Sequence, residues 1–253
     1  MSNYECRKKA RNILKGRYAE GFFVVMICIV VYFIFKLLDI AKILIMLYNN
    51  NIEISELYET ADILYIPLKY ISGIVLFIIM TPLVTGGLWW FYQMAGGNDN
   101  RNILKLYTGF KLNFRASLVY ILMWGITFLS ILPSVSCLAA AFYFFEIVPV
   151  FHNQALVLFI CIQLFAAGIF LIGLYLKAVC TVILSPFIFL KNPDMNAFSI
   201  INSSRKKIYG YKLECLKLIM TYIPAMLPIV TIPFVLPKAI MSFSVFAYDR
   251  IGD

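Results

Sequence analysis

Three ionisable residues fall inside a stretch that is otherwise apolar. Lys36, Asp39 and Lys42 stand at i, i+3 and i+6, so a helix brings them to one face. Charges within a bilayer are costly and often mark ion paths or substrate contacts. Near the end of a crossing, the same lysines can reach the headgroups and form an interfacial ion cluster. Lys177 has the same two readings: a partner for an acid on a polar path, or the cytoplasmic boundary of its span. Gln163 is placed to make an interhelical hydrogen bond, and Lys69 is read as a snorkelling residue. His152 with Glu146 could handle protons, although both fall in a short connection that suits exposed loop residues. Six Cys and one His are present. No C-x-x-C pair occurs and four Cys lie in apolar runs, so the thiols read as small hydrophobes rather than as a disulfide or metal set. Gly86-Gly87 and Gly96-Gly97 lack the lysine and spacing of a phosphate loop. No nucleophile elbow, zinc-binding helix or paired carboxylate appears. These residues predict a non-enzymatic protein with no cofactor.

The elements that carry them are membrane spans. Of 253 residues, 62% are hydrophobic and 14% charged, too few charges to cover a soluble domain, which averages roughly 25%. Against about 20 apolar residues per crossing, the chain divides as one all-α transmembrane domain over 1–253. A basic helix covers 1–20, a first hairpin 21–92 and a loop 93–115. A second hairpin covers 116–190, an amphipathic segment 191–212 and a Pro-rich third hairpin 213–253. The count is about six spans, with five as the alternative. The apolar stretch Phe22–Leu38 has no cleavage-site pattern and reads as the first span rather than a signal peptide.

Within this frame, Trp89, Trp90 and Tyr92 read as an interfacial aromatic belt. Pro133 predicts a kink, and Lys177 and Pro186 interrupt the long run from 154 to 190. Asn192-Pro193-Asp194 reads as a helix start, after which Ala197, Ile200, Ile201, Ser204 and Ile208 share a face. Pro233 and Pro237 mark the turn of the last hairpin, with Lys238 toward the outer surface.

The charges set the orientation. Sixteen of the 22 Lys and Arg lie in 1–20, 93–115 and 191–217, while the connections 48–62 and 146–154 hold none. The positive-inside rule then places the N-terminus and both basic loops in the cytoplasm of a multi-pass cell-membrane protein. Topology and anionic lipid account for the net charge of +9, leaving no role for nucleic acid. Arg7, Lys8, Lys9 and Arg11 in the first helix, and Arg205, Lys206 and Lys207 in the later one, are the candidate lipid-surface residues. The expected partners are the bilayer and its anionic headgroups, together with a membrane-protein partner or a second copy of the chain.

Three places look alike: Leu14-Lys15-Gly16-Arg17-Tyr18, Tyr107-Thr108-Gly109-Phe110-Lys111 and Ile208-Tyr209-Gly210-Tyr211-Lys212. Each sets a Gly among aromatic and basic residues before a span. Asp99, Asp194 and Asp249 follow spans in a similar way. The pattern reads as three hairpins, each starting and ending in the cytoplasm.

Several of these motifs, in this order, carry a resemblance. They are the Leu-Lys-Gly-aromatic ending of the first helix (Leu14 to Tyr18), Pro82-Leu83 with Gly86 before an aromatic helix end, and Gly109-Phe110. Asn192-Pro193-Asp194 with Ser204 to Gly210 completes the set. The chain resembles an uncharacterised family of small bacterial integral membrane proteins common in Firmicutes, and the likeness covers most of its length. It departs in the last hairpin, where four prolines stand in place of the expected Gly and Trp. The resemblance implies a fold and a membrane address and no activity. The functional expectation is an accessory or envelope-maintenance factor acting through helix and lipid contacts. A transporter or channel subunit for a small solute or lipid is the alternative, and a lipid-directed membrane enzyme ranks last. A polar path joining Lys36, Asp39 and Gln163 would favour transport.

Overall fold

The computed structural model describes residues 1–50, 57–98, 108–111, 113–147 and 154–251, and every regular element among them is a helix. Asp99, Tyr107 and His152 lie outside the described residues, as do the side chains of Lys42 and Lys69. Five segments among the described residues are long and apolar enough to cross a membrane: Tyr18–Ala41, Tyr70–Ala95, Phe114–Glu146, Gln154–Lys191 and Ile229–Ile251. The protein is an all-α, multi-pass membrane protein. Its chain forms two compact units, one of Met1–Ser117 with Met220–Asp253 and one of Leu118–Ile219.

The first unit opens with α1 (Asn3–Leu14), started by a capping box in which Ser2 and Glu5 satisfy each other's backbone N–H groups. The Ser2 backbone N–H holds the Glu5 carboxyl below its usual range. The cap is therefore intact above Glu5's ordinary pKa and loosens as pH falls through the lowered one. A tight turn leads to α2 (Tyr18–Asn50). Next comes α3 (Leu57–Ala95), 39 residues and about 58 Å long. It starts earlier than the apolar pattern implied and includes Glu59 and Asp62.

A short helix, α4 (Thr108–Lys111), lies directly on α3. A Cβ at Gly109 would overlap the Pro82 carbonyl oxygen and come within 3.0 Å of the Gly86 nitrogen. Only glycine allows that backbone approach.

The unit closes with α10 (Ile232–Ile251), which packs on α1, α3 and α2. Cys6, Ala10 and Leu14, at helical spacing on α1, are all buried, as are Val245, Phe246 and Ala247 of α10. Tyr248 packs against the end of α3, its ring 5.6 Å from that of Tyr92. A Cβ at Gly96 would come 2.6 Å from the Tyr248 ring. The interfacial belt expected at Trp89 to Tyr92 is accordingly corrected: Trp90 and Tyr92 are buried, because the end of α3 has protein packed on it where the sequence alone shows only a span terminus.

The second unit holds most of α5 (Asn113–Ile147), then α6 (Gln154–Val182), α7 (Ser185–Lys191) and α8 (Ala197–Lys207). The helix of α5 is unbroken at Pro133. Where α5 meets α6, Ser134 Oγ donates to the Gly168 carbonyl at 2.9 Å, and a Cβ at Gly168 would sit 2.7 Å from Leu138. Membrane helices lack a hydrophobic drive to associate and rely on such small-residue contacts and hydrogen bonds. The run from 154 to 190 is two helices. It breaks at 183–184, and Pro186 stands in the first turn of α7, a position that tolerates its missing N–H.

The helix start expected at Asn192 to Asp194 is also corrected. Those residues form a turn, with Met195 N–H donating to Asn192 O at 3.2 Å, and α8 begins at Ala197 after an Asn196 cap. Asn192 follows the last residue of α7, so the Asn-Pro pair ends one helix rather than starting the next. The expected apolar face of α8 is present: Ile200, Ser204 and Ile208 are buried. Ser204 Oγ donates to the Thr181 carbonyl at 2.6 Å, satisfying a carbonyl at the end of α6.

The last hairpin differs from expectation in its turn. Its first helix, α9 (Lys212–Met226), is 15 residues long. The turn spans Leu227 to Thr231 and includes a single 3-10 turn, Ile229–Thr231. Pro233 enters the first turn of α10 and Pro237 is buried inside that helix. A proline near a helix start forfeits few bonds, so α10 absorbs both. Lys238 Nζ lies 5.3 Å from the centre of the Tyr18 ring, at the start of α2. The other end of α10 lies beside the start of α1, where the Met1 ammonium meets Asp249 at 3.0 Å.

Two of the three repeated motifs share one backbone form. Lys15 has φ −63° and ψ 117° and Gly16 has φ 86°, while Arg17 N–H donates to Leu14 O at 3.0 Å. That is a type II turn. Gly210 also has φ 86°, and Tyr211 N–H donates to Ile208 O at 2.9 Å. The likeness extends backwards, with Cys6, Ala10 and Leu14 matching Ile200, Ser204 and Ile208 in spacing and burial. The third motif differs, since Gly109 lies within α4 and serves close packing.

Candidate functional site

A cleft of about 750 Å³ opens in the first unit between α1, the later part of α9 and α10. Helical spacing builds one part of its wall, Tyr4, Arg7, Lys8 and Arg11 on α1, and the turn that follows adds Lys15 and leads to Tyr18 at the start of α2. The neighbouring stripe of α1, Cys6, Ala10 and Leu14, is buried, with Ala10 and Leu14 at the base of the cleft, which fixes the cationic stripe's direction. From the far side come Tyr222, Lys238 and Ser242.

The hydroxyls hold that side in place. Tyr222 OH and Ser242 Oγ are 2.6 Å apart, and both reach the Lys238 carbonyl, at 3.3 Å and 2.8 Å. Tyr18 OH donates to the Phe234 carbonyl, and Phe22 stacks on Phe234 at 5.4 Å. Asn3 Nδ2 meets Thr221 Oγ1 at 3.4 Å.

Among the described residues the lining carries five cations, Arg7, Lys8, Arg11, Lys15 and Lys238, and no carboxylate. The nearby acids are engaged elsewhere. Arg17 pairs with Glu20 at 3.3 Å, Asp249 takes Met1 and Arg250, and Glu5 caps α1. Arg7 Nε is buried and meets no acceptor among the described residues. Such a wall concentrates positive potential and attracts anions, oxyanions above all, for which arginine supplies paired donors.

Of the residues singled out in the sequence, Arg7, Lys8 and Arg11 come together here. Lys9 is exposed on α1 outside the lining, and Arg205, Lys206 and Lys207 are exposed in the last turn of α8 in the second unit. Lys36 Nζ pairs with Asp39 at 3.7 Å along α2. Gln163 and Lys177 are exposed on α6. Lys15 joins them from the turn after α1. Tyr222 and Ser242 carry no signal in the sequence, and Lys238 reads there only as a residue of the last hairpin's turn, because all three reach the cleft through that hairpin.

The Cys6 thiol is pushed up from its usual range by burial. At neutral pH its thiolate fraction is therefore small. In the folded protein, maleimide is expected to label Cys6 at least about tenfold more slowly than in the denatured chain, as measured by mass spectrometry of its peptide. Equal rates would mean that α1 is not docked.

The profile of the family described as "Protein of unknown function (DUF975)" matches residues 1–251. The chain belongs to this family. No curated protein and no solved structure matches it. Membership of DUF975 agrees with the resemblance drawn from motif order, and the fold shows what two of those motifs do. Pro82 with Gly86, and Gly109 of the Gly-Phe pair, separate in sequence, are one packing contact between α3 and α4. They hold the backbone together and lie outside the cleft.

Proposed function

We propose that this DUF975 protein is a non-enzymatic accessory or envelope-maintenance factor of the cell membrane that works through helix and lipid contacts. Its N-terminus and the α1 cleft then face the cytoplasm. The observation that carries this reading is the division of labour on α1: one stripe is buried within the fold, while the other leaves four cations at the cleft without ion pairs among the described residues. A basic face of this kind on a multi-pass protein suits the anionic inner leaflet, where each Lys or Arg contributes about 1 kcal/mol. The positive-inside distribution of the loops supports the same side. The contact of Met1 with Asp249 supports a C-terminal helix that finishes there too.

Reconstitution tests the reading. In vesicles containing anionic lipid, the protein is expected to unfold at a higher temperature than in purely zwitterionic vesicles, with a gap that narrows as salt rises. Equal midpoints in the two lipids would rule out a role that depends on the anionic surface.

A further inference from the structure

We propose that the cleft between α1, the later part of α9 and α10 is a binding site for a phosphate monoester, the dianionic group that phosphatidic acid carries as its headgroup and that soluble phosphate compounds share. The inference rests on the reading above, that this face meets an anionic leaflet, and deepens it from a charged surface to a defined site. Five cations in one cleft repel each other unless an anion joins them. Among the described residues, Glu20 and Asp249, acids of this unit, are paired elsewhere.

A phosphate monoester carries close to two charges and three acceptor oxygens, enough to engage several of these cations at once. A singly charged carboxylate would leave most of them uncompensated. Arg7 lines the cleft, and its Nε–H is buried and meets no acceptor among the described residues, so an acceptor brought to this guanidinium would relieve an unsatisfied donor. A buried donor with no partner is costly unless something bonds to it. The volume, about 750 Å³, exceeds that of a bare phosphate and falls in the range of small-molecule sites. Ala10 and Leu14 add an apolar part to the lining, where the glycerol end of a lipid would rest.

The test uses the full chain in detergent micelles, read by its thermal unfolding midpoint. Three additives are titrated: short-chain phosphatidic acid, phosphatidylcholine of the same chain length, and inorganic phosphate. Phosphatidic acid is expected to raise the midpoint saturably, and phosphatidylcholine to leave it in place. The double variant Arg11→Gln with Lys15→Gln is expected to weaken the phosphatidic acid response about tenfold or more. Lys191→Gln with Lys217→Gln, which removes the same charge from residues outside the cleft lining, keeps it.

A response to phosphatidic acid alone assigns a lipid headgroup, and an equal response to inorganic phosphate assigns a soluble phosphate compound; both support the site. No saturable response to either, or a response that both double variants weaken equally, overturns it. The second outcome would leave general surface electrostatics intact, so the site and the broader reading fail separately.

Discussion

Gly109→Ala is expected to destabilise the protein by about 3 kcal/mol or more, the upper part of the range for overpacking. The added methyl would overlap the Pro82 carbonyl oxygen and crowd the Gly86 nitrogen. Both are backbone atoms of α3, so no side chain can swing aside to make room. Relief requires α4 to lift from α3, which loosens the start of α5 behind it. The control is Gly125→Ala in α5, where nothing lies within 4 Å of the added carbon. Alanine there gains helix propensity, about 0.5–1 kcal/mol. The unfolding midpoint in detergent should therefore move in opposite directions for the two variants. Equal midpoints would mean that α4 does not lie on α3 as described.

The second large effect falls on the turn glycines. Gly16 and Gly210 both have φ 86°, a region in which a β-branched side chain meets its own backbone. Gly16→Val and Gly210→Val are each expected to cost about 2 kcal/mol, the middle of the range for a strained residue. Gly16→Asn should cost less, since asparagine enters the left-handed region more readily. A Cβ added at either glycine would meet no other atom within 4 Å, so the penalty reports the backbone alone. If valine is tolerated at both positions, the type II turn is not what joins α1 to α2, and the likeness between α1 and α8 loses its structural basis.

The parts of the fold that a sequence displays are those set by local pattern. The apolar runs announce the spans, and the spacing of Ile200, Ser204 and Ile208 announces the buried face of α8. The cations of α1 are legible for the same reason, because Arg7, Lys8 and Arg11 fall on one stripe of a helix. What is not legible depends on which element lies against which. Trp90 and Tyr92 look like residues at a lipid interface because nothing in their neighbourhood reveals that the end of α3 is covered. Pro233 and Pro237 look like a turn because prolines break helices, yet both fit near the start of α10 while the chain turns at Leu227 to Thr231. That shift brings Lys238 to Tyr18, and with it the far wall of the cleft. Gly109 and Pro82 belong to different helices, and each motif alone is too short to name its partner.

Sidedness of α1 is the most direct test of the account. Lys9→Cys places a thiol on the exposed face of α1, outside the cleft lining. A membrane-impermeant maleimide, corrected for the native cysteines, is expected to label it in inverted membrane vesicles and to leave it unlabelled in intact cells. Labelling of Lys9→Cys in intact cells would place α1 and its cations on the outer face and contradict the account.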